Sequence, residues 1–316
     1  MAIGLVFPGQ GSQSVGMLAR LLAEEPAAAA TFEEADEALG FALADLVRDG
    51  PAELLNRTEH TQPAMLAAGV AVWRAWRARG GPRPAAMAGH SLGEYTALVC
   101  AGTLDYAAAL RIVRLRGTWM QQAVPTGEGA MAAILGLDDD AVSAACAAAE
   151  AAGGVVEAVN FNAPGQVVIA GDAAAVARAI ERLKAAGAKR AIALPVSVPS
   201  HCRLMDPVGE QLAAALAEVA LSPPEIPVYH NVDARPRQDV AAIRAALADQ
   251  VRRPVRWVEC VLGMRAAGID TLVEAGPGRV LCGLARRIDR SLAALPADDP
   301  DTLEAALAAV KGTEHG

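Results

Sequence analysis

Gly89-His90-Ser91-Leu92-Gly93 fits the Gly-x-Ser-x-Gly nucleophile elbow, and the residues around it decide the fold. Before it, Pro84-Ala85-Ala86-Met87-Ala88-Gly89 has the composition of a short buried strand. After it, residues 92–100 place Leu92, Ala97, Leu98 and Cys100 where a helix can bury them. A strand that feeds a helix through a tight turn pushes the Ser91 hydroxyl out of the sheet toward the helix N-terminus, where the Leu92 amide is left to face an anion. The flanking glycines let other backbone approach. Strand, turn and helix together predict a nucleophilic serine; the competing account is a glycine-rich turn with no chemistry.

At 316 residues the chain can bury a sizeable core, and two domains are expected. Alanine inflates the 53% hydrophobic fraction while aromatics are only 3%, which predicts helices packed closely through small side chains. A net charge of -8, from 28 basic and 36 acidic residues with no basic block, argues against nucleic acid as the partner. It leaves room for an acidic protein partner at a locally basic rim. Cys100, Cys146, Cys202, Cys260 and Cys282 are scattered and odd in number, as expected of free thiols in a reducing cytoplasm. No histidine or cysteine spacing suits a metal. Residues 1–7 read as a first strand rather than a signal peptide, and no later stretch reads as a membrane span.

The first strand, residues 2–7, leaves through Pro8-Gly9-Gln10-Gly11-Ser12-Gln13. This loop lacks the signatures of nucleotide and dinucleotide cradles, so bare turn and functional loop fit it equally. Helical patterns follow at residues 27–39 and 42–48, and Thr61-Gln62-Pro63 opens a long helix that ends before Gly80-Gly81-Pro82. Beyond the elbow helix, Asp105 caps a helix reaching about residue 124. Ile112, Val113, Arg116, Trp119 and Met120 share its apolar face, whereas Arg111 and Arg114 point away. A guanidinium buried there needs a partner. Arg116 either pairs with an internal carboxylate or snorkels, or it clamps an anionic group of the substrate.

From residue 129 the rhythm changes to strand 130–136, helix 138–152, strands 155–161 and 166–171, helix 172–186 and strand 189–194. This β-α-β-β-α-β order is the ferredoxin-like split. Residues 129–195 are therefore expected to form a small subdomain inserted into a large α/β domain made of residues 1–128 and 196–316, with a parallel central sheet. Asn160, Asn162 and Gln166 flank its hairpin and are placed to line a cleft. The chain returns through Pro195-Val196-Ser197-Val198-Pro199-Ser200-His201. His201, on a stiff loop expected to face solvent before a helix at 204–219, is the candidate general base for Ser91. His90 should point away from Ser91, His60 sits in an early loop, His315 in the tail, and His230 is the second choice. Strand 269–274, helix 280–288, strand 291–295 and helix 302–310 complete the large domain.

With these motifs in order, the chain resembles the malonyl-CoA:acyl carrier protein transacylases of type II fatty acid synthesis and is similar to polyketide synthase acyltransferase domains. The resemblance is carried end to end by Gly9-Gln10-Gly11-Ser12-Gln13, Gly89 to Glu94, Arg116-Gly117 with Met120-Gln121, Asn160-Phe161-Asn162 with Pro164 and Gln166, Ser200-His201, Asn231-Val232-Asp233, and Gln250 before Pro254-Val255 and Trp257. It implies an α/β-hydrolase-like large domain, Ser91 acylated by malonyl-CoA, and His201 moving its proton. It further implies a backbone carbonyl near Gln250 orienting the imidazole, the amides of Gln10 and Leu92 as oxyanion hole, and Arg116 on the malonyl carboxylate. No resident cofactor or metal is implied; the acceptor is the phosphopantetheine thiol of an acidic, transiently bound acyl carrier protein, and the enzyme is expected to be a cytoplasmic monomer. A methylmalonyl-preferring or broad acyltransferase of polyketide synthesis is the nearest alternative. A serine hydrolase would need an acid and a histidine late in the chain, and a non-catalytic homologue would have lost Ser91, His201 or Arg116.

Overall fold

The computed structural model describes residues 2–195 and 198–311. Its strands form two sheets. The first joins β1 (Ala2–Phe7), β2 (Ala86–Gly89), β7 (Val228–Tyr229), β8 (Ile269–Glu274) and β9 (Ala293–Pro296) in the order β7-β2-β1-β8-β9, every pair parallel. Strand β1 is central and buried from Ile3 to Phe7 without alternation, as expected when helices cover both faces of a sheet. The second sheet joins β3 (Gly129–Leu135), β4 (Val156–Ala163), β5 (Gln166–Asp172) and β6 (Arg190–Ala193) in the order β4-β5-β3-β6, all antiparallel. Helices Asp139–Glu150 and Ala173–Ala185 complete the β-α-β-β-α-β order read from the sequence.

The smaller unit has its own apolar core, in which Ile134, Val142, Ile169, Val176 and Leu183 meet. Backbone also ties it to the segment before the helix at Trp257, since the Phe161 amide donates to the Val255 carbonyl at 3.0 Å and the Val255 amide to the Val159 carbonyl at 2.8 Å. Strand β4 is thereby anchored at the edge of the site.

Three local expectations change. The long helix spans Thr58–Ala78, starting before Thr61-Gln62-Pro63, so Pro63 lies inside it and His60 is helical rather than in a loop. The Thr61 hydroxyl bonds the Leu55 carbonyl at 2.6 Å, and this link to the preceding turn lets the helix begin early. The helix expected at 204–219 opens as a single tight turn, Arg203–Met205, and becomes α-helical only over Asp206–Ala217, with Pro207 in its first turn. Val196, Ser197 and the tail histidine His315 lie outside the described residues. Among the described residues no helix is long and apolar enough to cross a membrane.

Candidate active site

The site lies where β1 and β2 end, the usual place for ligands in a parallel sheet. The His90 amide donates to the Phe7 carbonyl at 3.0 Å, which brings the two exit loops side by side. A Cβ on Gly89 would stand 1.8 Å from the Gly93 carbonyl carbon, and one on Gly93 would stand 2.1 Å from the Phe7 oxygen. Only glycine fits either position. Between them Ser91 adopts φ +51°, the left-handed conformation of a strained elbow.

Ser91 Oγ lies 2.7 Å from His201 Nε2, and His201 Nδ1 lies 2.7 Å from the Gln250 carbonyl oxygen. A carbonyl only accepts, so the proton resides on Nδ1 and the Nε2 lone pair faces the serine hydroxyl. The expected solvent-facing loop is not found, because His201 is only 2% exposed. Its amide donates to the Val251 carbonyl at 2.8 Å, which draws the loop down against the large domain. Burial, then the nearby Arg116 charge, lowers the His201 pKa from 6.5 to about 3, so the imidazole is neutral near pH 7.

Arg116 is 1% exposed, on the same face as the buried Ile112, Val113 and Met120, while Arg111 and Arg114 are exposed. Its Nη1 donates to Gln62 Oε1 at 2.9 Å, and its Nη2 to Gln250 Oε1 at 3.1 Å and Ser91 Oγ at 3.2 Å. These acceptors are neutral, and Nε has no acceptor among the described residues. No carboxylate forms an ion pair with Arg116 among the described residues. Burial accordingly pulls the guanidinium below its ordinary range, opposed by Tyr95 and Glu94. A cation held in this way beside a nucleophile is prepared for an anion from outside.

A cavity of about 220 Å³ joins Ser91, His201 and Arg116 to Gln10, Leu92 and Asn160. The Gln10 and Leu92 amides donate to no backbone acceptor among the described residues. Asn160 lines the cavity with a buried Oδ1 that has no partner among the described residues, whereas Asn162 Oδ1 instead holds His90 Nε2 at 2.8 Å. His90 thus points away from Ser91, toward the smaller sheet. Gln166 does not reach the cavity: it begins β5 beyond the hairpin, and its Oε1 accepts from Arg287 on the helix Val280–Ile288.

Two contributors had no assigned role in the sequence reading. Gln62 holds Arg116, and Glu94 collects His230 and Asn231 beneath the elbow. His230, the second choice of base, has its Nδ1 on Glu94 and not at the serine hydroxyl. The signal for Glu94 was the one that marked Arg116, a charge among buried neighbours, since Gly93 to Leu98 are all buried.

Fold and site define an acyl transferase, and residues 5–299 match the family described as acyl transferase domain. The malonyl CoA-acyl carrier protein transacylase of Salmonella typhimurium is 55% identical over 302 residues, covering 96% of this chain and 97% of the relative. The crystal structure of an acyl carrier protein S-malonyltransferase from Vibrio cholerae is 55% identical with a TM-score of 0.95, covering 97% of this chain and 100% of that one. A malonyl-transacylase solved in complex with a type II polyketide synthase acyl-carrier protein is 51% identical, with a TM-score of 0.96 and coverage of 97% and 99%. This chain belongs to the malonyl-CoA:acyl carrier protein transacylase family.

Proposed function

We propose that this protein moves the malonyl group of malonyl-CoA onto the phosphopantetheine thiol of an acyl carrier protein through an ester on Ser91. The observation that carries the residue roles is the position of Ser91 Oγ, 2.7 Å from a neutral imidazole nitrogen and 3.2 Å from a buried guanidinium that forms no ion pair with a carboxylate among the described residues. His201 Nε2 takes the hydroxyl proton as Oγ attacks the thioester carbon. The negative charge that develops on the carbonyl oxygen meets the amides of Gln10 and Leu92. The C–S bond breaks, and His201 returns the proton to the departing coenzyme A thiolate. The carrier thiol repeats the sequence in reverse, its proton passing to His201 as its sulfur attacks the ester and then back to Ser91 Oγ. Arg116 grips the free carboxylate, which lies one methylene from the reacting carbonyl.

In this proposal residues 129–195 act as a subdomain covering the elbow, supported by their separate apolar core. Five free, buried cysteines support a reducing, cytoplasmic setting. The test is the intact mass of the protein after mixing with malonyl-CoA, acetyl-CoA and methylmalonyl-CoA in separate reactions. Malonyl-CoA should leave one ester, mapped to Ser91 and absent from Ser91→Ala. A label on Cys100 or Cys202 would overturn the assignment.

A further inference from the structure

Beneath the elbow lies a cluster of polar side chains that the transfer steps above leave unused. Glu94, His230, Asn231 and Gln250 are each fully buried. Glu94 Oε2 accepts from the Asn231 amide at 2.9 Å and from Gln250 Nε2 at 2.8 Å, while Oε1 faces His230 Nδ1 at 2.7 Å. The two residues that donate to this carboxylate, Asn231 from its main chain and Gln250 from its side chain, also hold the elbow through their side chains. Asn231 Oδ1 accepts from the Ser91 amide at 2.7 Å and Asn231 Nδ2 donates to the Gly89 carbonyl at 2.8 Å. Gln250 Nε2 donates to the Ser91 carbonyl at 2.7 Å.

The chemistry of the carboxylate gives the cluster a direction. An ionised carboxylate only accepts hydrogen bonds, so the Gln250 side chain must turn its NH2 group toward Glu94. Its oxygen then faces the opposite way, toward Arg116 Nη2 at 3.1 Å. With the amide reversed, Gln250 would set its oxygen against the carboxylate and its NH2 group against the guanidinium, two repulsions at once. Glu94, together with the Ser91 carbonyl that accepts from the same Nε2, thereby sets which end of Gln250 Arg116 meets, and Arg116 shares that same Nη2 with Ser91 Oγ. Ser91 itself keeps a left-handed backbone that residues with a Cβ rarely adopt, and such a conformation persists when its surroundings over-determine it.

We propose that Glu94 is a positioning residue for acyl selection: through the fixed orientation of Gln250 it aligns Arg116 with the Ser91 hydroxyl, so that the malonyl carboxylate and its carbonyl reach clamp and nucleophile together. This rests on the roles of Ser91 and Arg116 given above. It adds that the selectivity of the clamp is set from a carboxylate that never touches the substrate.

The test uses Glu94→Gln and Gln250→Ala, separately and combined, in the full chain, with kcat/KM measured for malonyl-CoA and acetyl-CoA and Tm recorded for each protein. Glu94→Gln keeps the shape of the side chain and removes the demand for a donor. It is expected to lower kcat/KM for malonyl-CoA by about 10- to 100-fold and to affect acetyl-CoA much less, a change in ratio that a loss of folded protein would not produce. Because Glu94 acts through Gln250, the double variant should be little worse than the worse single one. Equal loss for both thioesters, or independent effects that multiply in the double variant, would overturn the proposal. If Glu94→Gln does not fold, Gln250→Ala decides alone, since His201 is held by the main-chain carbonyl of residue 250 and stays in place. A wild-type malonyl-to-acetyl ratio in that variant would overturn the proposal. Failure of the wild-type protein to form a Ser91 ester would instead remove the underlying roles, and the two failures are thus distinct.

Discussion

The two sheets handle buried polarity in opposite ways. Behind the parallel sheet, Glu94, Arg116, His201, His230, Asn231 and Gln250 are all buried and joined by hydrogen bonds that converge on Ser91. The core of the antiparallel unit is made of Ala, Val, Ile, Leu and Cys, and its buried polar residues among those described sit at the rim, where Asn160 lines the cavity and Asn162 meets His90. Buried polar groups are costly unless each is satisfied, but a satisfied network fixes atoms in place. The end of the parallel sheet therefore forms a polar floor around Ser91, with Arg116 Nε and His230 Nε2 left unpartnered among the described residues, and the antiparallel unit contributes Met131, Asn160 and Leu194 to the cavity wall as its cover.

The largest effect should follow from removing the base on the floor. His201→Ala is expected to slow acylation by roughly 100- to 10,000-fold, read from pre-steady-state ester formation. Since the side chain is buried and hydrogen-bonded at both ring nitrogens, Tm should fall as well. An unchanged acylation rate would remove His201 from the mechanism.

Arg116→Ala sharpens the contrast between chemistry and structure. Loss of a charge-assisted pair should cut kcat/KM for malonyl-CoA by roughly 100-fold and leave acetyl-CoA transfer equal or improved. A parallel fall for both substrates together with a lower Tm would make Arg116 a structural residue.

The apolar unit should answer differently. Ile169→Ala, in its core and 0% exposed, is expected to destabilise the protein by about 2–5 kcal/mol, measured by denaturant unfolding. The malonyl-to-acetyl ratio of the folded enzyme should not change. A selectivity change as large as that of Arg116→Ala would break the division between floor and cover.

The smallest expected effect is the response to pH. With the folded His201 pKa near 3 against an ordinary 6.5, the free enzyme keeps a neutral base, and acylation should stay level from about pH 8 to about pH 5. The sign for stability follows from the same shift. The folded state resists protonation that the unfolded chain accepts, so this contribution is complete above pH 6.5 and is lost as pH falls toward 3. A loss of acylation with a midpoint near 6.5 would show an imidazole far more exposed than the structure has it.

Local pattern alone determined a good part of this molecule. The elbow is legible because strand, glycine, serine, glycine and helix are contiguous. The ferredoxin-like unit is legible because its hydrophobic period switches between strand and helix four times across six successive elements. Arg116 was marked by lying on a buried helical face, a property of 3.6-residue spacing that requires no partner to be known. The roles of His201 and the Gln250 carbonyl came from motif and family resemblance.

Only the tertiary structure decided that His201 is buried, that Gln166 turns to Arg287 and away from the cavity, and that Glu94 orients Gln250. Each of these depends on contacts between residues far apart in the chain, such as Glu94 with Gln250 across 156 positions. Sheet order and helix placement bring those residues together, and no local period encodes the distance between them. Periodicity tells which face of an element is buried; which group waits there to meet it is settled when the elements pack.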